Sequence, residues 1–281
     1  MTDERIHRAV SDDGTEIVGS VRGDGPPLVF VHGMMDDGTL QWEPTASCLA
    51  DRFTCHVMSV RNRGRSGQSQ DVSPPRLVED VAAYASSIGE PVGLVGLSAG
   101  GAFALGAANR LANLTGIVAY EPAVLLVITE EGRERLIAAV MREVEEVQQG
   151  RLADGMRIWS AFVGNDEENA ALEEAGAFEI LGANAPADLA IIQQSREYQG
   201  PSALETSALA QITAPVLLLR GGRTSKASAP LFYAAVQYVD EHVPDTTVHE
   251  FPQLGHLGPM VAPEPIAEKI AEFFSTVRQP A

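Results

Sequence analysis

Gly96-Leu97-Ser98-Ala99-Gly100-Gly101 sets one hydroxyl among glycines, directly after the apolar run Val92–Leu97 and before a segment that reads as a helix. In that strand-to-helix setting a G-x-S-x-G pattern forms a sharp turn, because glycines on both sides omit the β-carbons that would collide. The turn presents Ser98 Oγ beyond the strand end in a constrained backbone conformation. A helix opening at Ala99 aims its free N–H groups and positive dipole end at any carbonyl the serine attacks. The implied chemistry is nucleophilic attack on an acyl carbon. A serine hydroxyl is a weak nucleophile near neutral pH, so an imidazole must accept its proton. Of the six histidines, His7, His56, His242 and His249 fall on strands, near them or in polar loops, where surface or packing roles fit. His32 and His256 differ: each adjoins a glycine in a loop that follows a strand.

The elements that must position these groups follow from hydrophobic periodicity. Arg5–Val10 and Thr15–Val21 flank Asp12-Asp13-Gly14 and read as an opening hairpin. Pro27–Val31 and Val92–Leu97 are apolar on both faces, as central strands are. Phe53–Val60, Gly116–Tyr120, Val216–Leu219 and Thr246–Phe251 are further strands. Between them lie helical patterns at Trp42–Ala50, Arg76–Gly89 (Leu77, Val81, Tyr84 and Ile88 on one stripe), Ala229–Val239 and Pro263–Val277. Alternation of this kind predicts a largely parallel sheet. From Glu121 to about Gln211 the alternation stops, and only helical periodicity remains. An all-helical insert between two sheet strands predicts a lid over the sheet edge where ligands bind.

Bulk properties narrow the function classes. The 281 residues, 45% hydrophobic and 21% charged, describe an ordinary globular chain able to bury a large core. A formal net charge of −18 repels phosphate backbones and anionic membranes, which argues against nucleic-acid and membrane partners. The polar start Met1–Gly14 lacks the apolar core of a signal peptide, and every apolar run is strand-sized. Cys48 and Cys55 are too few for a disulfide framework and have no metal-ligand spacing, so both are expected to be buried thiols of a cytoplasmic protein. Nothing calls for a metal or organic cofactor. A homodimer is compatible with the chain, and the residues do not fix the oligomeric state.

The order of His32-Gly33, then Ser59-Val60-Arg61-Asn62-Arg63-Gly64-Arg65-Ser66-Gly67, then the serine turn, then Gly255-His256 resembles the α/β-hydrolase superfamily across nearly the whole chain. The resemblance implies a mostly parallel eight-stranded sheet flanked by helices, with a helical cap inserted after the sixth strand. Residues 1–121 and 212–281 would then form the core and 122–211 the cap. The 61–67 stretch resembles a structural turn of the family, with Ser59 and Asn62 replacing its usual Asp and Gly; Ser66 and Ser69 are therefore poor nucleophile candidates. The resemblance makes His256 the general base and Ser98 the nucleophile, with the N–H groups of Met34 and Ala99 as an oxyanion hole. His32 would orient the oxyanion loop. Most of the family places an Asp shortly after the strand that follows the cap. Here that strand runs into Leu219-Arg220-Gly221-Gly222-Arg223-Thr224-Ser225-Lys226, with no carboxylate. Either Thr224 or Ser225 occupies the position, or the acid has moved. Glu121, at the end of the strand before the cap, is the favoured acid, ahead of Asp240 and Asp245.

The expected reaction is hydrolysis of a carboxylic ester, thioester or lactone through an acyl-enzyme. Carbon–carbon bond hydrolysis by serine is an alternative, as is a catalytically silent small-molecule receptor. Ser98 argues against the dehalogenase and epoxide-hydrolase branches, whose nucleophile is a carboxylate. Met141, Met156, Trp159, Phe162 and Phe178 could line an apolar pocket in the cap. The substrate-contact candidates are His32, Met35, Trp159, Phe162 and Leu257, facing a small, largely apolar ester.

Overall fold

The computed structural model describes residues 5–277. Eight strands form one sheet: β1 (Arg5–Val10), β2 (Glu16–Arg22), β3 (Pro27–Val31), β4 (Thr54–Met58), β5 (Val92–Leu97), β6 (Leu114–Tyr120), β7 (Val216–Gly221) and β8 (Thr246–Phe251). Their spatial order is β1-β2-β4-β3-β5-β6-β7-β8. Only β2 runs against its neighbours, through the β1 hairpin and its pairing with β4; every other pairing is parallel. The helices of the sheet layers are α1 (Glu43–Leu49), α2 (Pro74–Ser87) and α3 (Ala99–Ala107). Between β6 and β7 come α4 (Glu130–Gln148), α5 (Leu152–Val163), α6 (Asp166–Glu174), α7 (Ala177–Leu181), α8 (Ala185–Glu197) and α9 (Thr206–Leu209). The chain closes with α10 (Ala229–His242), α11 (Gly258–Val261) and α12 (Pro263–Thr276).

The all-apolar central strands have a direct cause: both faces of the sheet are covered. Val29, Val31, Leu94, Ile117 and Leu218 face Leu77, Val81 and Tyr84 of α2, Leu105 of α3 and Val236 and Val239 of α10. The alternate residues Leu28, Phe30, Val95, Leu97, Val118 and Leu219 face Trp42, Leu49, Ile266 and Ile270. The expected α2 stripe holds in Leu77, Val81 and Tyr84, all fully buried. Met156, Phe162, Phe178 and Leu181 of the inserted helices form a third cluster with Met35, Phe232 and Leu257. The end of the insert behaves differently: Leu204, Leu209 and Ile212 join the sheet core.

Two expectations need correction. Cys55 is buried, and burial pushes its thiol up to about 12, but Cys48 is exposed. It sits on the outward side of α1, whose apolar side points at the sheet through Ala46 and Leu49. Met141 is 67% exposed, because α4 turns Ala139 and Glu143 inward instead. Among the described residues no single helix is long and apolar enough to cross a membrane.

Glu143 is fully buried, and neither carboxyl oxygen has a hydrogen-bond partner. Burial, reinforced by Asp188 and opposed by Arg63, pushes its pKa up to about 8 from 4.5. A carboxyl whose folded pKa is raised binds more protons folded than unfolded. Its contribution to stability is therefore complete below about pH 4.5 and drains away as pH climbs through about 8. Glu143→Gln keeps the shape and removes the titration. Between about pH 7 and pH 8, urea midpoints should fall less steeply in the variant than in wild type; parallel slopes would show that no proton is held there.

Candidate active site

Ser98 ends β5 and caps α3, with φ 54° and ψ −119°, a left-handed conformation that a non-glycine residue adopts only under constraint. The neighbouring glycines allow it. A β-carbon on Gly96 would lie 2.4 Å from the Gly100 carbonyl oxygen, and one on Gly100 would lie 2.2 Å from that of Val31. Ser98 N–H donates to Tyr120 O at 2.9 Å, tying the turn to the end of β6.

Glu121 follows that end directly and is also forced to positive φ, 41°. Its N–H donates to Leu219 O, so the backbone is still held by β7 while the side chain swings toward the loops. The carboxylate is fully buried and fully used. Oε1 accepts Gly221 N–H at 3.0 Å and Thr224 Oγ1–H at 2.7 Å. Oε2 accepts His256 Nδ1–H at 2.7 Å. Thr224 lies near where the family pattern expects an acid, and it serves Glu121 as a donor.

His256 sits between β8 and α11 and is held from three directions. Phe232 stacks on the ring at 4.0 Å and 18°. Tyr120 Oη donates to Gly255 O at 2.6 Å, and Gly255 N–H donates to Glu168 Oε1 on α6 at 2.8 Å. Gly255 is required for that approach, since a β-carbon there would lie 2.5 Å from Glu168 Oε2. With Nδ1 donating to a carboxylate, Nε2 is left as the acceptor.

Ser98 and His256 line one cleft, together with Met34, Met35, Gln41, Leu97, Trp159, Val163 and Leu257. The space left has room for roughly one water. Of the candidate contact residues, Met35, Trp159 and Leu257 border the cleft; His32 and Phe162 do not. His32 is buried beneath the loop: Nε2 accepts Val60 N–H at 3.1 Å and Nδ1 donates to Gly33 O at 2.7 Å. Burial, then the Arg63 charge, pulls its pKa down to about 4, so the ring is neutral at ordinary pH. The Met34 and Ala99 N–H groups meet no acceptor among the described residues. Ser66 is spent on structure, accepting Val18 N–H and donating to Ser59 O. Asp240 pairs with Thr246, away from His256. Sequence reasoning passed over Gln41, Leu97 and Val163. Gln41 alone left a signal, a polar residue inside the loop that follows His32-Gly33. Among the described residues no group of three or more His, Cys, Asp or Glu could hold a metal ion.

A serine forced to positive φ at the tip of a central parallel strand, in a sheet of this order, defines a hydrolase of the α/β class. The chain belongs to the alpha/beta hydrolase family, whose model matches residues 28–269. It is similar to an alpha/beta hydrolase from Sphaerobacter thermophilus DSM 20745, at 25% identity and TM-score 0.73 over 95% of this chain and 100% of that one. An esterase from Rhodococcus sp. ECU1013 has the same fold at 21% identity and TM-score 0.76, covering 97% and 99%. A pimeloyl-[acyl-carrier protein] methyl ester esterase from Stenotrophomonas maltophilia (strain K279a) is 38% identical over 97 residues. That match spans 34% of this chain and only 36% of the relative. The chain is thus a member of the alpha/beta hydrolase family that spans about a third of the length of the curated relatives it matches.

Proposed function

We propose that this hydrolase cleaves carboxylic esters of small, largely apolar acyl groups, with Ser98, His256 and Glu121 as its catalytic triad. The observation that carries the reading is the 2.7 Å bond from His256 Nδ1 to the buried Glu121 carboxylate, beside the cleft that Ser98 lines. His256 Nε2 takes the proton as Ser98 Oγ bonds to the acyl carbon. The negative charge that collects on the carbonyl oxygen is met by the N–H groups of Met34 and Ala99. Collapse breaks the bond to the alcohol, which leaves with the proton from His256. Water then attacks the acyl-Ser98 ester as His256 takes its proton; collapse breaks the bond to Ser98 Oγ, which recovers that proton from His256, and the carboxylic acid departs. Thioesters and lactones offer the same acyl carbon. The helices of residues 122–211 act as a cap, closing on the cleft through Trp159 and Val163. Apolar acyl groups are favoured because Met34, Met35, Leu97, Trp159, Val163 and Leu257 line the cleft beside Ser98 and His256. The two free cysteines suit a reducing, cytoplasmic setting.

A fluorophosphonate probe followed by peptide mass analysis tests the chemistry, with label expected on Ser98. A protein that stays unlabelled and leaves p-nitrophenyl esters intact is a silent receptor, and the reading fails. Across p-nitrophenyl acetate, butyrate, octanoate and laurate, kcat/KM should be highest for the short chains; a maximum at laurate would refute the assignment of acyl size.

A further inference from the structure

The loop from Gly33 to Gln41 carries Met34, and side chains rather than regular structure give it its shape. On the core side, Gln41 Oε1 accepts Gly33 N–H at 2.7 Å and Gln41 Nε2 donates to Met34 O at 2.8 Å. Asp36 Oδ2 accepts the N–H groups of Gly38, Leu40 and Gln41. The inserted helices supply the other half. Met35 N–H donates to Asp188 Oδ2 of α8 at 2.9 Å, and Asn184 Nδ2 donates to Met35 O at 3.2 Å. Asp188 Oδ1 accepts Arg63 Nη2 at 2.5 Å, and Arg63 Nη1 donates to Asp36 O. Asp188 is 1% exposed and Arg63 2%.

Met35 has φ 78°, a strained value for a residue with a β-carbon, so the fold must hold it there. Both of its backbone polar groups are held by the insert. The peptide that Asp188 pins joins Met35 to Met34, so the pin limits how Met34 can turn. A buried carboxylate is costly unless its oxygens are met, and Asp188 meets the oxyanion loop with one oxygen and the core arginine with the other. Lifting the insert removes both contacts at once.

We infer that Asp188 is a positioning residue: it holds Met35 N–H so that Met34 N–H faces the carbonyl oxygen, and the oxyanion hole is complete only while the insert is seated. This rests on the ester-hydrolase reading above. A cleft with room for roughly one water must open to admit an acyl group. Closure over the substrate and assembly of the hole are then one event.

The test compares p-nitrophenyl acetate with its thionoester, whose sulfur accepts hydrogen bonds poorly and so draws little from the hole. In Asp188→Asn, an NH2 replaces one acceptor oxygen. We expect kcat for the oxyester to fall by about 10²-fold with KM within about threefold. The thionoester should lose much less, so the oxyester-to-thionoester ratio collapses. Asn184→Ala, at a half-buried position, should lower the same ratio by about three- to tenfold and serves if Asp188→Asn does not fold. A fall in the ratio in either folded variant supports the proposal. An unchanged ratio in every folded variant overturns it, even if overall activity drops. A wild-type protein that hydrolyses neither ester overturns the ester-hydrolase reading, and this inference with it.

Discussion

Ser98→Ala lowers kcat/KM for p-nitrophenyl acetate by about 10⁵–10⁶-fold and abolishes fluorophosphonate labelling. The size follows from the proposed role: without the hydroxyl no acyl-enzyme would form, and only general binding and the two proposed N–H donors would remain. Folding should be almost untouched. Alanine keeps the β-carbon, so the cost of φ 54° is the same in both proteins. The constraints on the turn also survive: Gly96 and Gly100 still admit the close backbone approach, and the residue 98 N–H still reaches Tyr120 O. Equal thermal midpoints with lost turnover would separate chemistry from stability. Residual activity above about a tenth of wild type would place the nucleophile elsewhere, since a residue essential to covalent catalysis cannot be so dispensable.

Glu121→Gln lowers kcat by about 10³–10⁴-fold while KM changes little. The argument turns on a tautomer. Glu121 Oε1 has two donors to satisfy, Gly221 N–H and Thr224 Oγ1–H, so a glutamine oxygen is drawn to that side. Its NH2 group then faces His256 Nδ1, where Glu121 Oε2 had accepted a proton. Two donors cannot share the contact, so the imidazole moves its proton to Nε2, the nitrogen that must take the serine's proton. The ring stays in place under Phe232 but holds the wrong tautomer. Rates for wild type and variant within tenfold of one another would remove Glu121 from the triad. A loss of folding would be distinguishable by circular dichroism.

Most of the scaffold was legible in the chain. Val92–Leu97 and Thr246–Phe251 have the expected ends, because strand limits are written in local hydropathy and flanking turn residues. The helical stretch between β6 and β7 was legible for the same reason. The exposure of Met141 and Cys48 was not, since one apolar side chain carries no record of which helix face is covered. Nothing in the sequence marks Asp188 and Glu143 as buried: Asp188 bonds Met35 across 153 positions, and Glu143 is enclosed with no hydrogen-bond partner on either oxygen.

The sequence by itself determined the alternating strands and helices, the serine turn with its obligatory glycines, and the absence of a carboxylate after β7, because each is a matter of neighbouring residue types. Tertiary structure alone decided which acid meets His256, how Thr224 and Gly221 satisfy that acid's other oxygen, and how α8 reaches the Met34 loop. These are contacts between segments far apart in the chain. Their energy depends on desolvation and on donor–acceptor geometry, and neither leaves a periodic trace in the order of residues.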